Sequence, residues 1–154
     1  MNDVSIRTLP RLSAATVEHI GPYMEVGKAF TQLFEWLNAR QLAPSDVRVF
    51  GAFYDDPRQV APEKLRSRAA AVTNGPFDVE PPVERAELGG GEYAVLRYKG
   101  PYSGLMPNYH YLYNEWLPKS GRQLRQAPSY EEYINDPRDT PPEELLTDIF
   151  IPLV

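Results

Sequence analysis

The segment Tyr130-Glu131-Glu132-Tyr133-Ile134 sets acidic and aromatic residues side by side in a stretch that reads as a strand. Successive side chains of an extended chain point to opposite faces, so Glu131 and Tyr133 share one face and Tyr130, Glu132 and Ile134 the other. A carboxylate on an aromatic strand face is costly to bury without a partner. Two readings follow. In one, Glu131 is the acidic floor of an aromatic pocket and the ligand supplies its partner. In the other it is a solvated strand glutamate beside a core tyrosine, the commoner fate of such a residue. Eight of the ten tyrosines lie after residue 90. Tyrosine offers a flat apolar face with a polar tip, suited to stacking on planar or cationic ligands. Packing of helix on sheet competes for the same residues, Tyr109 and Tyr113 first, because they fall on a helical stripe.

The remaining polar residues carry less. Glu35 and Glu115 each precede a tryptophan and read as solvated helix residues, while Asp56 and Asp136 sit in Asp-Pro turns. His19 and His110 have no motif around them. The absence of cysteine excludes disulfides, thiol nucleophiles and thiolate metal sites, and fits a cytoplasmic location. With only two histidines no metal centre is expected, and no cofactor motif is present: no phosphate-binding loop, no dinucleotide fingerprint, no Gly-x-Ser-x-Gly, no His-Glu-x-x-His. The net charge of −5 argues against direct nucleic-acid binding, which needs clustered Lys and Arg. No apolar run reaches the roughly 20 residues that span a bilayer, and no signal peptide is evident.

The elements that must position Glu131 occur twice. Val4-Ser5-Ile6-Arg7-Thr8-Leu9 returns as Val83-Glu84-Arg85-Ala86-Glu87-Leu88, and Gly21-Pro22-Tyr23 as Gly100-Pro101-Tyr102, both 79 residues on. Asp55-Asp56-Pro57-Arg58 returns as Asn135-Asp136-Pro137-Arg138, and Pro62-Glu63-Lys64-Leu65 as Pro142-Glu143-Glu144-Leu145, 80 residues on. Two copies of one unit are implied, module one over about 1–75 and module two over about 80–154, folding as a single domain with a shared core. Within each copy a strand pair opens the unit: 4–9 with 14–20, then 82–88 with 92–98, the second joined by Gly89-Gly90-Gly91, a hairpin signal. A helix follows each Gly-Pro-Tyr, from about Met24 to Ala39 and from about Ser103 to Leu117, with Ser103 as an expected N-cap. Two further strands close each copy: 47–54 and 65–73, then 129–135 and 145–152. Within the second helix the apolar stripe matches the first at 79, whereas Glu35-Trp36-Leu37 and Glu115-Trp116-Leu117 match at 80. Packing constrains a helix face more than a tripeptide does, so the extra residue is expected in the loop after the helix. The fold class is α+β: two pseudo-two-fold-related strand–strand–helix–strand–strand modules, mainly antiparallel, with a ligand cleft between them. Glu131 falls where the first copy has Gly51, and Tyr133 where it has Phe53.

The stretch Tyr93–Tyr102, then Tyr113-Asn114-Glu115-Trp116-Leu117-Pro118, Tyr133-Ile134-Asn135-Asp136-Pro137-Arg138 and Leu145–Leu153 resembles the GyrI-like small-molecule-binding superfamily, which includes the DNA gyrase inhibitory protein and the effector-binding domains of AraC-type and MerR-type regulators. The resemblance spans nearly the whole chain and is more specific in the second half. It implies that Glu131 is the pocket glutamate that pairs with lipophilic cations, with Tyr133 beside it. It also implies that an Asp is frequent on the last strand of each module. Asp148 fits, but its counterpart is Arg68. Regulator-type relatives carry a DNA-reading domain before this fold, and none is expected here, since about a dozen residues precede the second strand.

The reading is a stand-alone, cytoplasmic small-molecule-binding domain for an apolar or aromatic, including cationic, ligand. Glu131 supplies charge or hydrogen bonding, and Tyr133, Phe53, Tyr98, Tyr102 and Trp116 form the walls. The same resemblance implies two rival readings. In one the protein hydrolyses strained cyclopropanoid electrophiles with Glu131 as the catalytic general acid or base. In the other it is a proteinaceous inhibitor with DNA gyrase as partner.

Overall fold

Residues 3–43 and 46–154 are described by a computed structural model. In chain order the elements are β1 (Val4–Thr8), β2 (Leu12–Ile20), α1 (Gly27–Ala39), β3 (Arg48–Phe53), β4 (Arg66–Val72), β5 (Glu84–Leu88), β6 (Glu92–Lys99), α2 (Leu105–Tyr111), α3 (Leu117–Ser120), β7 (Ser129–Tyr133) and β8 (Leu146–Pro152). The fold is α+β and mostly antiparallel. Contacts divide the chain into two compact units, one made of Met1–Pro10 with Gly90–Val154, the other of Arg11–Gly89.

In the first unit the strands run β1-β6-β8-β7, and in the second β5-β2-β4-β3. Within each unit the neighbours are antiparallel. Repeat-equivalent strands hold equivalent places: β1 and β5, β6 and β2, β8 and β4, β7 and β3. The internal repeat of the sequence is therefore a repeat of topology.

The expected opening hairpins do not form. β1 pairs with β6, with Ile6 opposite Ala94, and β5 pairs with β2, with Ala86 opposite Ala14. Each unit thus takes its outer strand from the other repeat. Gly89, Gly90 and Gly91 all have positive φ (82°, 93° and 100°), a backbone glycine adopts freely. The triplet passes the chain from β5 to β6 instead of folding it back. Leu9 clamps the passage, its N–H donating to Gly91 O at 3.0 Å and its carbonyl accepting from Gly90 N at 2.8 Å.

A second correction concerns the extra residue. It lies inside the helix, not in the loop after it. Between α2 and α3 the chain makes a π-helical turn over Leu112–Trp116. Such a turn closes on the fifth residue rather than the fourth and so absorbs one extra residue without breaking the helix. Both sequence registers hold as a result, 79 up to Leu112 and 80 from Trp116 on. A third correction is smaller. Ser103 caps nothing, because a 3-10 turn over Tyr102–Gly104 leads into α2 and Gly104 N donates to Pro101 O at 2.9 Å.

Each helix packs on one face of its own sheet. In the first unit Leu112 meets Ala94 and Leu96 of β6 and Ile149 and Ile151 of β8, with Tyr98, Tyr109, Tyr113 and Trp116 partly buried around them. In the second, Leu33, Trp36 and Leu37 meet Ala15, Val17, Ala69 and Ala71. Where β8 offers Ile149 and Ile151, β4 offers alanines, and the small side chains leave room for the ring of Trp36, which is buried there.

Candidate functional site

β7 places Glu131 opposite Ile149, on the helix-facing side of its sheet. Its exposure is 8%. Both carboxylate oxygens are held by tyrosines. Tyr109 Oη donates to Glu131 Oε2 at 2.6 Å, and Tyr133 Oη donates to Oε1 at 2.8 Å. The first of these falls in the length range of hydrogen bonds to an ionised acceptor. Tyr133 reaches because residues two apart on a strand share a face, and Tyr109 because it lies on the packed stripe of α2.

Burial pushes the Glu131 carboxyl above its ordinary range, while the two phenolic donors pull it back; the net direction is up. Burial raises the hydroxyls of Tyr109 and Tyr133 well above 10.0, reinforced by the neighbouring carboxylate. They therefore remain protonated donors throughout the physiological range. A carboxylate held by two neutral donors keeps its negative charge uncompensated, so the site suits a cation, a hydrogen-bond donor or a proton.

The other expected residues hold different places. Tyr102 stands edge-on to Tyr133 with ring centroids 5.5 Å apart, and burial lifts its hydroxyl to about 12. Its first-repeat counterpart, Tyr23, lies edge-on to Phe53 at 5.0 Å. Tyr23 is also pinned, donating to Asp55 O at 2.7 Å and accepting from Asp55 N at 3.0 Å. No such bond holds the Tyr102 hydroxyl among the described residues. Tyr98 packs on the core by its ring, and its hydroxyl donates to Pro101 O at 2.8 Å, bracing the Gly-Pro-Tyr turn. His19 makes the equivalent contact to Pro22 O at 3.0 Å in the first repeat. Trp116 is partly buried against the same core, and Phe53 belongs to the Arg11–Gly89 unit.

Tyr109 is the residue that sequence reasoning missed, having been assigned to packing alone. A signal for it existed. Its repeat counterpart is Phe30, as Phe53 is for Tyr133 and Gly51 for Glu131. One carboxylate and the two hydroxyls that hold it are all absent from the first repeat.

The opposite face of each sheet carries an ion pair of inverted sign. Arg97 grips the buried Asp148 with Nε to Oδ1 at 2.8 Å and Nη2 to Oδ2 at 3.0 Å, and Arg7 adds a contact at 3.4 Å. In the other unit Glu18 takes the place of Arg97, and Arg68 that of Asp148, 3.4 Å apart. The charge swap explains how Arg68 stands where an Asp was implied. Among the described residues no cluster of three or more metal-binding side chains occurs, and no helix is long and apolar enough to cross a membrane.

The family model for the GyrI-like small molecule binding domain matches residues 2–154. The chain belongs to the GyrI-like family. Among curated relatives, the probable transcriptional regulator YgiV of Escherichia coli K12 is 29% identical over 153 residues, covering 98% of this chain and 96% of YgiV. The DNA gyrase inhibitor of Escherichia coli K12 is 26% identical over 121 residues, 76% of each chain. Among solved structures, the EcmrR C-terminal domain shares the fold with a TM-score of 0.78 at 17% identity, over 100% of this GyrI-like chain and 98% of that domain. SAV2435 bound to tetraphenylphosphonium shares it at 0.64 and 12% identity, over 99% and 94%.

Proposed function

We propose that this GyrI-like domain binds lipophilic cations and planar aromatic compounds at Glu131, with Tyr133, Tyr102, Tyr98 and Trp116 as the aromatic surroundings. The observation that carries the reading is the buried carboxylate whose only hydrogen-bond donors among the described residues are two neutral tyrosines. A buried anion is costly without a counter-charge, and an incoming cation provides one. Aromatic rings beside it add cation–π attraction. The structural neighbour solved with tetraphenylphosphonium supports the ligand class.

The test is a thermal-shift screen of wild type and Glu131→Gln against lipophilic cations, neutral planar aromatics and cyclopropane-bearing electrophiles, with mass spectrometry of every well. A ligand at 100 times its dissociation constant adds about 2.7 kcal/mol, a readable shift. Stabilisation by cations that the substitution weakens supports binding. Silence across the panel opposes it and turns attention to a protein partner, gyrase first.

The raised carboxyl favours one second reading, hydrolysis of strained cyclopropanoid electrophiles with Glu131 as general acid or base. Consumption of such a compound by wild type, lost by about 10²–10⁴-fold in Glu131→Gln, would support it.

A further inference from the structure

Thr147 lies on β8 directly between Tyr98 of β6 and Tyr133 of β7, all on the face that carries Glu131. Its side chain is fully buried, and its Oγ1 has no hydrogen-bond partner among the described residues. Buried hydroxyls in folded proteins are nearly always bonded, and an orphan asks for an explanation. The first repeat repeats the arrangement. Ser67, the counterpart of Thr147, is buried between His19 and Phe53, and its Oγ is also without a partner among the described residues. Valine or alanine would fill either place with no polar group to leave unbonded.

From this orphan hydroxyl, resting on the binding role of Glu131, we infer that Thr147 Oγ1 is a second polar contact of the same site. It selects, among lipophilic cations, those that carry a hydroxyl, ether or carbonyl a few ångströms from the charge. The route to it runs through Tyr133. That ring neighbours Thr147 across the strands, and its hydroxyl donates to Glu131 Oε1 at 2.8 Å. A cation that compensates the carboxylate replaces what Tyr133 gives it. Tyr102, the ring edge-on to Tyr133, has no hydroxyl bond among the described residues to hold it back. Displacement of Tyr133 by the ligand exposes Thr147 Oγ1, which as a hydroxyl both donates and accepts. Glu131 then reads charge and Thr147 reads a polar substituent.

The test uses two cations that differ in one group, tetraphenylphosphonium and (4-hydroxymethylphenyl)triphenylphosphonium, titrated calorimetrically into wild type, Thr147→Val, Thr147→Ser and Glu131→Gln. Wild type is expected to prefer the hydroxylated cation by about tenfold, the worth of one hydrogen bond. Thr147→Val brings that ratio to about one, and Thr147→Ser restores it. Glu131→Gln weakens both cations. Thr147→Val should also melt at a higher temperature than wild type without ligand, since an isosteric methyl replaces an unbonded hydroxyl. A wild type without preference, or a Thr147→Val that weakens both cations in parallel, overturns the role of Thr147 while leaving that of Glu131 intact. Failure of either cation to bind wild type overturns both.

Discussion

Tyr109 Oη lies 2.6 Å from Glu131 Oε2, so one hydrogen bond ties the second-repeat helix to the strand that carries the acid. The bond does two things. It satisfies half of a buried carboxylate, and it fixes the helix over the sheet at the depth where Tyr113 stacks on Tyr109, ring centroids 6.4 Å apart. Tyr109→Phe removes the donor and little volume. At neutral pH it is expected to destabilise the protein by about 1.5–3 kcal/mol, the usual worth of a bond to a charged group. Denaturant titration at pH 7 and at pH 4 checks this, and the loss should shrink at pH 4, where the carboxyl is largely protonated.

Glu131 itself works against stability at neutral pH. Its carboxyl titrates higher in the folded protein than the ordinary glutamate value of 4.5. Between 4.5 and the folded value the native state binds more protons than the unfolded one, so stability falls as pH rises through that window. The stability the group contributes in its protonated form is complete below 4.5 and gone above the folded value. Glu131→Gln removes this dependence. Its melting temperature is expected to exceed that of wild type at pH 7 and to converge with it near pH 4, as read by thermal melts across pH.

The π-helical turn at Leu112–Trp116 makes a sharper demand. Deleting the exposed Asn114 returns the helix to regular α geometry and rotates everything after it by about 100°. Trp116 and Leu117, which pack on the core, then turn away from it. A loss of about 2–4 kcal/mol is expected, the scale of unpacking large side chains, against a few tenths for Asn114→Ala. Paired chemical denaturation curves decide it. Equal stability of the two variants would show that the extra residue has no structural role.

The two inverted ion pairs differ in what a truncation strands. Asp148 is 1% exposed and depends on Arg97 for two bonds, so Arg97→Ala leaves a buried charge with, among the described residues, only the longer Arg7 contact. Glu18 is half-exposed, and Arg68 retains Thr16 Oγ1 at 2.9 Å and Glu84 at 3.6 Å without it. Arg97→Ala is expected to cost about 1.5–3 kcal/mol, and Glu18→Ala less than about 1. Denaturation at low and high salt checks both, with the smaller loss also the more easily screened.

The repeat, the α+β class and the position of each strand were legible because hydrophobic alternation, Gly-Pro-Tyr and Asp-Pro-Arg are local signals. Strand pairing was not. Gly89-Gly90-Gly91 reads as a turn, and it is Leu9, far away in the sequence, that shows it to be a crossing. The conflict of registers in the second helix was visible, but a π turn has no composition of its own and a loop insertion explains the letters equally well. At the site, alternation along β7 put Glu131 and Tyr133 on one face. Tyr109 escaped because a tyrosine on a helical stripe packs and donates at once, and the sequence displays only the first property.

The most direct test is the affinity of tetraphenylphosphonium for wild type and Glu131→Gln between pH 4 and pH 8. If Glu131 is the counter-charge, wild-type affinity rises as the carboxyl ionises, with a midpoint above 4.5, and Glu131→Gln binds more weakly with no such rise. Equal affinities with the same pH profile in the two proteins would contradict the assignment of Glu131 as the residue that binds the cation.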